Sequence, residues 1–305
     1  MTIGARFALV ALAGCLLAGC GGSSNHAAQT QPPQQQQSTG PRLTFVYDAS
    51  APLGFADRGV VGHLGSVSVH DVSYTSNGRR VDAYLVEPGG KATRRPGVVL
   101  VHGSGGDRRE LVGTAVALAR KGVVAMTITA PSSAYPPPRT SSVQILLAES
   151  RSAARNDVIA VRRAADLLAS RPNVDSARLG YLGWSAGAKL GTFVGASDGR
   201  FKALALLSAG ADKLSAFVAA APAPLRPLVR RQLGSVDPLR YVALARPGTL
   251  LLEDGTRDTV IPHRALLNVV HAAPPHTVVR WYRLGHALDA AAFSDAVSWL
   301  VGKLD

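Results

Sequence analysis

The chain has almost no cysteine. Its two, Cys15 and Cys20, both stand in the first twenty of 305 residues, so the part long enough to fold has neither a disulfide nor a thiolate metal site. The eight histidines show no HxxxH or similar pair, so the sequence implies no metal and no cofactor. Lysine is scarce too, six against twenty-seven arginines, and the formal charge is +13. Nucleic-acid binding by such a surplus needs a basic stripe with aromatics set into it. Here the basic residues are scattered, with only short pairs such as Arg79-Arg80, Arg94-Arg95 and Arg162-Arg163. That excludes a nucleic-acid partner and leaves a solvated basic surface that favours anionic lipid or anionic substrates.

No apolar run is long enough to cross a bilayer. The longest, Phe7 to Ala18, follows Arg6 and has the length of a signal-peptide core. It ends in Leu17-Ala18-Gly19-Cys20, which resembles the lipobox of bacterial lipoproteins; Leu12-Ala13-Gly14-Cys15 has the same form but would leave apolar residues at the mature end. We therefore expect a leader over residues 1–19, lipidation of Cys20 and, through residue 40, a Gly/Ser/Gln/Pro tether too polar to order itself. Such a tether spans about 25 Å. Residues 41–305 are then one catalytic-sized domain in the cell envelope, held to a membrane by lipid.

Within that domain the patterns alternate. Val67, Val69, Val72 and Tyr74, then Val81, Ala83 and Leu85, flank Ser76-Asn77-Gly78, a hairpin signal. Gly97 to Val101 reads as a strand buried on both faces, followed by His102-Gly103-Ser104-Gly105-Gly106, a helix over 108–121 stopped by Gly122, and a strand over 123–129. A long helix follows from Val143 to Ser170, with Val158, Val161, Ala165 and Leu168 inward and Asn156 and Asp157 facing elsewhere. Strands over 178–183, 201–207, 249–252 and 277–282, and helices near 263–271 and 290–304, complete the chain. The stretch 211–246, rich in Ala, Pro, Leu and Arg, is longer than an ordinary connection and is a candidate cap.

The strand ending at Gly183 runs into Gly183-Trp184-Ser185-Ala186-Gly187 and then into a helix-like run. Gly-x-Ser-x-Gly between a strand and a helix is a nucleophile elbow: the sharp turn pushes the hydroxyl outward. The Gly-rich segment 102–106 lacks the Lys-Ser/Thr ending of a phosphate-binding loop.

Hairpin, then strand–helix units, then the serine elbow: this order resembles the α/β-hydrolase superfamily from about Leu64 onward. Arg171-Pro-Asn-Val-Asp175, Asp237-Pro-Leu-Arg-Tyr241 and Gly255-Thr-Arg-Asp258-Thr-Val-Ile-Pro262 are similar to its dienelactone-hydrolase-like branch, which includes acyl esterases. That branch's name-giving enzymes have cysteine where this chain has Ser185, which favours a serine esterase. The resemblance implies a mostly parallel sheet with helices on both faces, Ser185 as nucleophile, His286 as base and Asp258 as the acid that orients it. Asp254, nearer the strand end, competes with Asp258. It further implies an oxyanion hole from the N–H groups of Ala186 and Ser104. Trp184 either lines the acyl pocket or packs in the core. The substrate class is a small-molecule carboxylic ester; a peptidase or amidase of the same fold and a non-catalytic binding module are the alternatives.

Overall fold

The computed structural model describes residues 42–90, 94–135 and 142–305. The expected leader, Cys20, the tether and Pro136-Pro137-Pro138 lie outside the described residues. Among the described residues, nine strands form one sheet in the order β1-β2-β3-β5-β4-β6-β7-β8-β9. The strands β1 (Ala56–Leu64), β2 (Val67–Ser76) and β3 (Arg79–Glu87) pair antiparallel, and β3 meets β5 (Val124–Ile128) antiparallel. From β5 through β4 (Arg95–Val101), β6 (Val174–Trp184), β7 (Phe201–Leu207), β8 (Leu250–Gly255) and β9 (Val278–Tyr282), all pairing is parallel. The β2–β3 turn is Asn77-Gly78, both at positive φ, 51° and 71°, as a two-residue hairpin with native twist requires.

The parallel strands carry apolar side chains on both faces because both are covered. Tyr181 and Leu179 of β6 pack among residues of α3 (Val143–Ser170), α4 (Ala186–Ser197) and α7 (Pro238–Val242). Their neighbour Leu182 packs on the other face among α1 (Val112–Arg120) and α9 (Ala290–Leu304). This fixes the C-terminal ends of β4, β6, β7 and β8 side by side in that order, which is where an open α/β sheet places its site.

Four expectations on elements change. Strand β1 was not expected: Gly59, at φ 99°, and Gly62 interrupt its pattern, and it lies exposed at the sheet edge. The elbow therefore follows the sixth strand. The helix expected over 108–121 starts only at Val112, because the Asp107 carboxylate takes the Arg109 N–H at 2.8 Å and Thr129 takes that of Arg108 at 3.2 Å, holding the chain in turns. The stretch 211–246 is mostly helical: α5 (Leu214–Ala220), a 3₁₀ turn, α6 (Arg226–Gly234) and α7. Val218 and Val229 of that stretch close a small third apolar cluster with Leu147 on the N-terminal part of α3. Finally, Asp157 does not face outward; it is buried. Helix α2 (Pro131–Ala134) follows β5. Helix α8 (His263–Ala272) lies between β8 and β9. Among the described residues, no helix is long and apolar enough to cross a membrane.

Candidate active site

The site begins with a strained turn. Ser185 has φ 56° and ψ −112°, a conformation L-residues rarely adopt. Its N–H is held by the Leu207 carbonyl at 2.8 Å and its carbonyl accepts from Lys189 N–H at 3.0 Å. The two motif glycines exist because backbone passes where side chains would be. A Cβ on Gly183 would stand 2.4 Å from the Gly187 carbonyl, and one on Gly187 would stand 2.2 Å from the Val101 carbonyl oxygen. The elbow thus packs directly against the end of β4, and Gly187 N–H donates to the His102 carbonyl at 3.1 Å.

Residues far apart in the chain meet on this turn. The Ser185 hydroxyl lies 2.8 Å from His286 Nε2, and His286 Nδ1 lies 2.8 Å from Asp258 Oδ2. A carboxylate accepts only, so Nδ1 carries the proton and donates it to Asp258; Nε2 is then the acceptor for the Ser185 hydroxyl. The other oxygen of Asp258 accepts from the N–H groups of Val260 and Ile261, both at 2.8 Å. The side chain is 1% exposed. That loop therefore fixes the carboxylate before it meets the histidine.

Two donors hold the other end of the histidine. Trp184 Nε1–H and the Ser208 hydroxyl both donate to the His286 carbonyl, at 3.1 and 3.0 Å. The indole also lies tilted against the imidazole, with ring centres 5.5 Å apart, and a Cβ on Gly103 would strike it at 2.8 Å. Trp184 is thus wedged between the Gly-rich loop and His286. No sequence pattern hints at this, since Ser208 and His286 are 78 positions apart.

The two N–H groups expected to form an oxyanion hole, those of Ser104 and Ala186, are left free by their neighbours. Gly103 N–H donates to Glu110 at 2.8 Å and Gly106 N–H to the Gly103 carbonyl at 3.2 Å. Ser104 N–H has no acceptor among the described residues. Ala186 is the first residue of α4, where an N–H has no partner within the helix. His102 anchors the loop: its Nε2 accepts from Ala130 N–H at 3.0 Å, and its Nδ1 donates to the Gly103 carbonyl at 2.6 Å. Burial holds its pKa below the ordinary histidine value, so it stays neutral and keeps both bonds.

No protein-family model matches the chain, and no curated protein matches it in sequence. Solved structures do. It is similar to acetyl xylan esterase 1 of a Thermoanaerobacterium species, with a TM-score of 0.68 at 15% identity over 84% of this chain and 90% of that one. An acetyl xylan esterase of a Paenibacillus species gives 0.67 at 20% identity, over 90% of this chain and 100% of that one. The acylaminoacyl peptidase of Pyrococcus horikoshii gives 0.58 at 17% identity, over 79% of this chain but 42% of that one. The fold is that of the α/β-hydrolases.

In an α/β-hydrolase fold the acid follows a late strand, and here two carboxylates compete for the place. Asp258 meets the histidine; Asp254 does not. Asp254 is 1% exposed and no side chain among the described residues bonds to its carboxylate; the backbone N–H of Ala209 alone opposes the effect of its burial. Burial raises its pKa to about 7, with the charges of Asp258 and Glu253 adding to the effect. Burial likewise raises Glu253 to about 7, although Arg280 and Tyr282 bond to it at 3.0 and 3.2 Å. In the unfolded chain both groups lose their protons near pH 4, whereas the folded chain keeps them to about pH 7, so it holds more protons between those values. Stability conferred by these groups is therefore full below about pH 4 and is lost as pH rises toward 7. Asp254→Asn, which cannot ionise, should raise the melting temperature more at pH 8 than at pH 5. Equal gains at both values in a thermal melt would contradict the shift.

The remaining histidines downstream of the serine take no part in this geometry. His263 begins α8 and packs its ring on Trp281 at 5.0 Å; His271 lies in α8 and His276 in the turn before β9. Among the described residues no group of three or more His, Asp or Glu side chains is arranged to hold a metal.

Proposed function

We propose that the protein is a serine carboxylesterase acting through an acyl-enzyme. The observation that carries this reading is the continuous pair of 2.8 Å contacts from Ser185 through His286 to Asp258, built on a turn at φ 56°. A free serine hydroxyl is a weak nucleophile, and an imidazole already accepting from it supplies the missing base.

In this mechanism Ser185 Oγ attacks the ester carbonyl carbon while its proton passes to His286 Nε2. The carbonyl oxygen becomes an oxyanion between the N–H groups of Ala186 and Ser104; each such donor contributes about 3–4 kcal/mol to lowering the barrier. Asp258 stabilises the imidazolium that forms. The tetrahedral adduct collapses, the alcohol leaves with the proton from Nε2, and the acyl group remains on Ser185. Water then attacks, giving a proton to His286, and the second adduct releases the acid and returns the proton to Ser185. No step needs a metal or cofactor.

Two of the structural neighbours are acetyl xylan esterases, which supports an ester as substrate, while a third is a peptidase. The wild-type protein should therefore hydrolyse p-nitrophenyl acetate and leave an aminoacyl p-nitroanilide untouched. Faster release from the anilide would move the assignment to a peptidase.

A further inference from the structure

One strand in the middle of the site supplies no member of the triad. Strand β7 lies between β6, which runs into the nucleophile, and β8, whose following loop carries the acid. Its last residue, Leu207, accepts the Ser185 N–H on its carbonyl at 2.8 Å. The next residue, Ser208, is fully buried and stands at φ 56°, in the left-handed region that non-glycine residues avoid. Two consecutive residues thus reach both members of the reacting pair: Leu207 holds the backbone of the nucleophile, and the Ser208 hydroxyl donates to the carbonyl of the base at 3.0 Å.

The base needs such a tie. His286 stands in the loop between β9 and α9, where Arg283, Gly285, Ala287 and Asp289 are exposed, and an exposed loop frays unless contacts hold it. The Leu284 carbonyl accepts from Arg257 N–H at 2.9 Å, which fixes the loop before the histidine. At His286 itself, Ser208 and Trp184 hold the backbone through one carbonyl, and Asp258 holds the ring. Ser208 is anchored in its turn, because its N–H donates to the Glu253 carbonyl at 2.8 Å. The hydroxyl is therefore carried on backbone bonded to Ser185 on one side and to β8 on the other.

The unusual backbone of Ser208 has a use in this arrangement. A residue in a sparsely populated conformation persists only where its surroundings enforce it, and such residues gather at functional sites. Glycine would take φ 56° without strain, but it has no hydroxyl to offer the histidine. A misplacement of a reacting group by about 1 Å costs about a hundredfold in rate. The 3.0 Å bond from a buried strand end opposes such a shift of His286.

We propose that Ser208 is a positioning residue of this active site: with Trp184 it fixes the His286 carbonyl, and the Leu207-Ser208 step thereby sets the distance between nucleophile and base. The inference rests on the esterase reading for its effect on rate, but not for the fixing of the histidine. Because two donors share one carbonyl, removing either leaves the other, and removing both frees the loop. Ser208→Ala and Trp184→Phe should each lower kcat/KM on p-nitrophenyl acetate by about threefold to tenfold, as for one hydrogen bond. The double variant should lose at least about tenfold more than the product of the two. Ser208→Gly should lose as much rate as Ser208→Ala yet melt at a higher temperature, since it alone relieves the backbone. A double variant whose loss equals the product, or a Ser208→Gly protein whose rate recovers with its melting temperature, overturns the proposal. Proton NMR of the wild type, the two single variants and the double variant, each labelled with ¹⁵N-histidine, reads the His286 Nδ1–H directly and needs no turnover. That proton should exchange with solvent faster in the folded double variant than in either single one. If the wild type hydrolyses no ester, the esterase reading fails and this exchange decides the positioning alone. Faster exchange in the double variant upholds it; equal exchange in all four proteins, or no such signal from the wild type, contradicts it.

Discussion

Asp258→Asn should lower kcat/KM on p-nitrophenyl acetate by about 10⁴ while leaving the protein folded. The substitution is nearly isosteric, and the side-chain oxygen that accepts from Val260 and Ile261 at 2.8 Å keeps both bonds. The atom facing His286 Nδ1, however, becomes an N–H₂ donor. The imidazole must then present a bare Nδ1 to it and carry its proton on Nε2, where it can no longer take the proton of Ser185. In a serine protease with the same relay, this change of tautomer costs about 10⁴ in rate. Asp254→Asn is the matched control: Asp254 makes no hydrogen bond to His286, so its replacement should change the rate by no more than a few-fold. Assaying both variants at pH 7 distinguishes the two carboxylates, and a larger loss in Asp254→Asn would reverse their roles.

Gly187→Ala should destabilise the fold severely for the addition of a single methyl group. Its Cβ would lie 2.2 Å from the Val101 carbonyl oxygen and 2.8 Å from that of His102. Both obstacles are backbone at the end of β4, itself buried on both faces, so neither can swing aside as a side chain does. Either α4 lifts from the sheet or the elbow deforms. Overpacking of this kind costs about 3 kcal/mol or more, which for a domain of this size is roughly 6–12 °C in melting temperature. Gly113→Ala provides the contrast. It lies exposed in α1 with nothing within 4 Å of its added Cβ, and alanine there should stabilise by about 0.5–1 kcal/mol. Differential scanning calorimetry of the two variants measures the difference; a Gly187→Ala protein that melts with the wild type would mean the elbow does not pack on β4 as described.

These effects depend on features that differ in how far the sequence revealed them. Helix α3 runs from Val143 to Ser170 as its pattern predicts, because its inward apolar residues recur at helical spacing and Ser142 and Arg171-Pro172 mark its ends. The elbow was legible for a similar reason: the glycines, the serine and the strand before them are contiguous. Strand β1 was not, since a solvent-exposed edge broken by two glycines has no alternation to read. Contacts across long separations were also hidden. Asp157 reads as an outward helix position, but Ser132, 25 residues earlier, receives its carboxylate in the interior. Trp184 reads as either a pocket wall or core packing, and neither reading reports that its N–H is bound to a carbonyl 102 residues downstream. Periodicity reports which face of an element is buried; it does not report a polar partner that only the sheet order brings near. The resemblance already favours Asp258 over Asp254; what the sequence does not report is the turn of the loop after β8 that sets the Asp258 carboxylate 2.8 Å from His286 Nδ1.

Ser185 as the nucleophile, made reactive by His286, is tested most directly by incubating the purified protein with a fluorophosphonate ester and mapping the adduct by mass spectrometry. One phosphonyl group per chain is expected, on the peptide containing Ser185, with no labelling of folded Ser185→Ala. Equal labelling of the two proteins, or an adduct on another residue, would contradict that role.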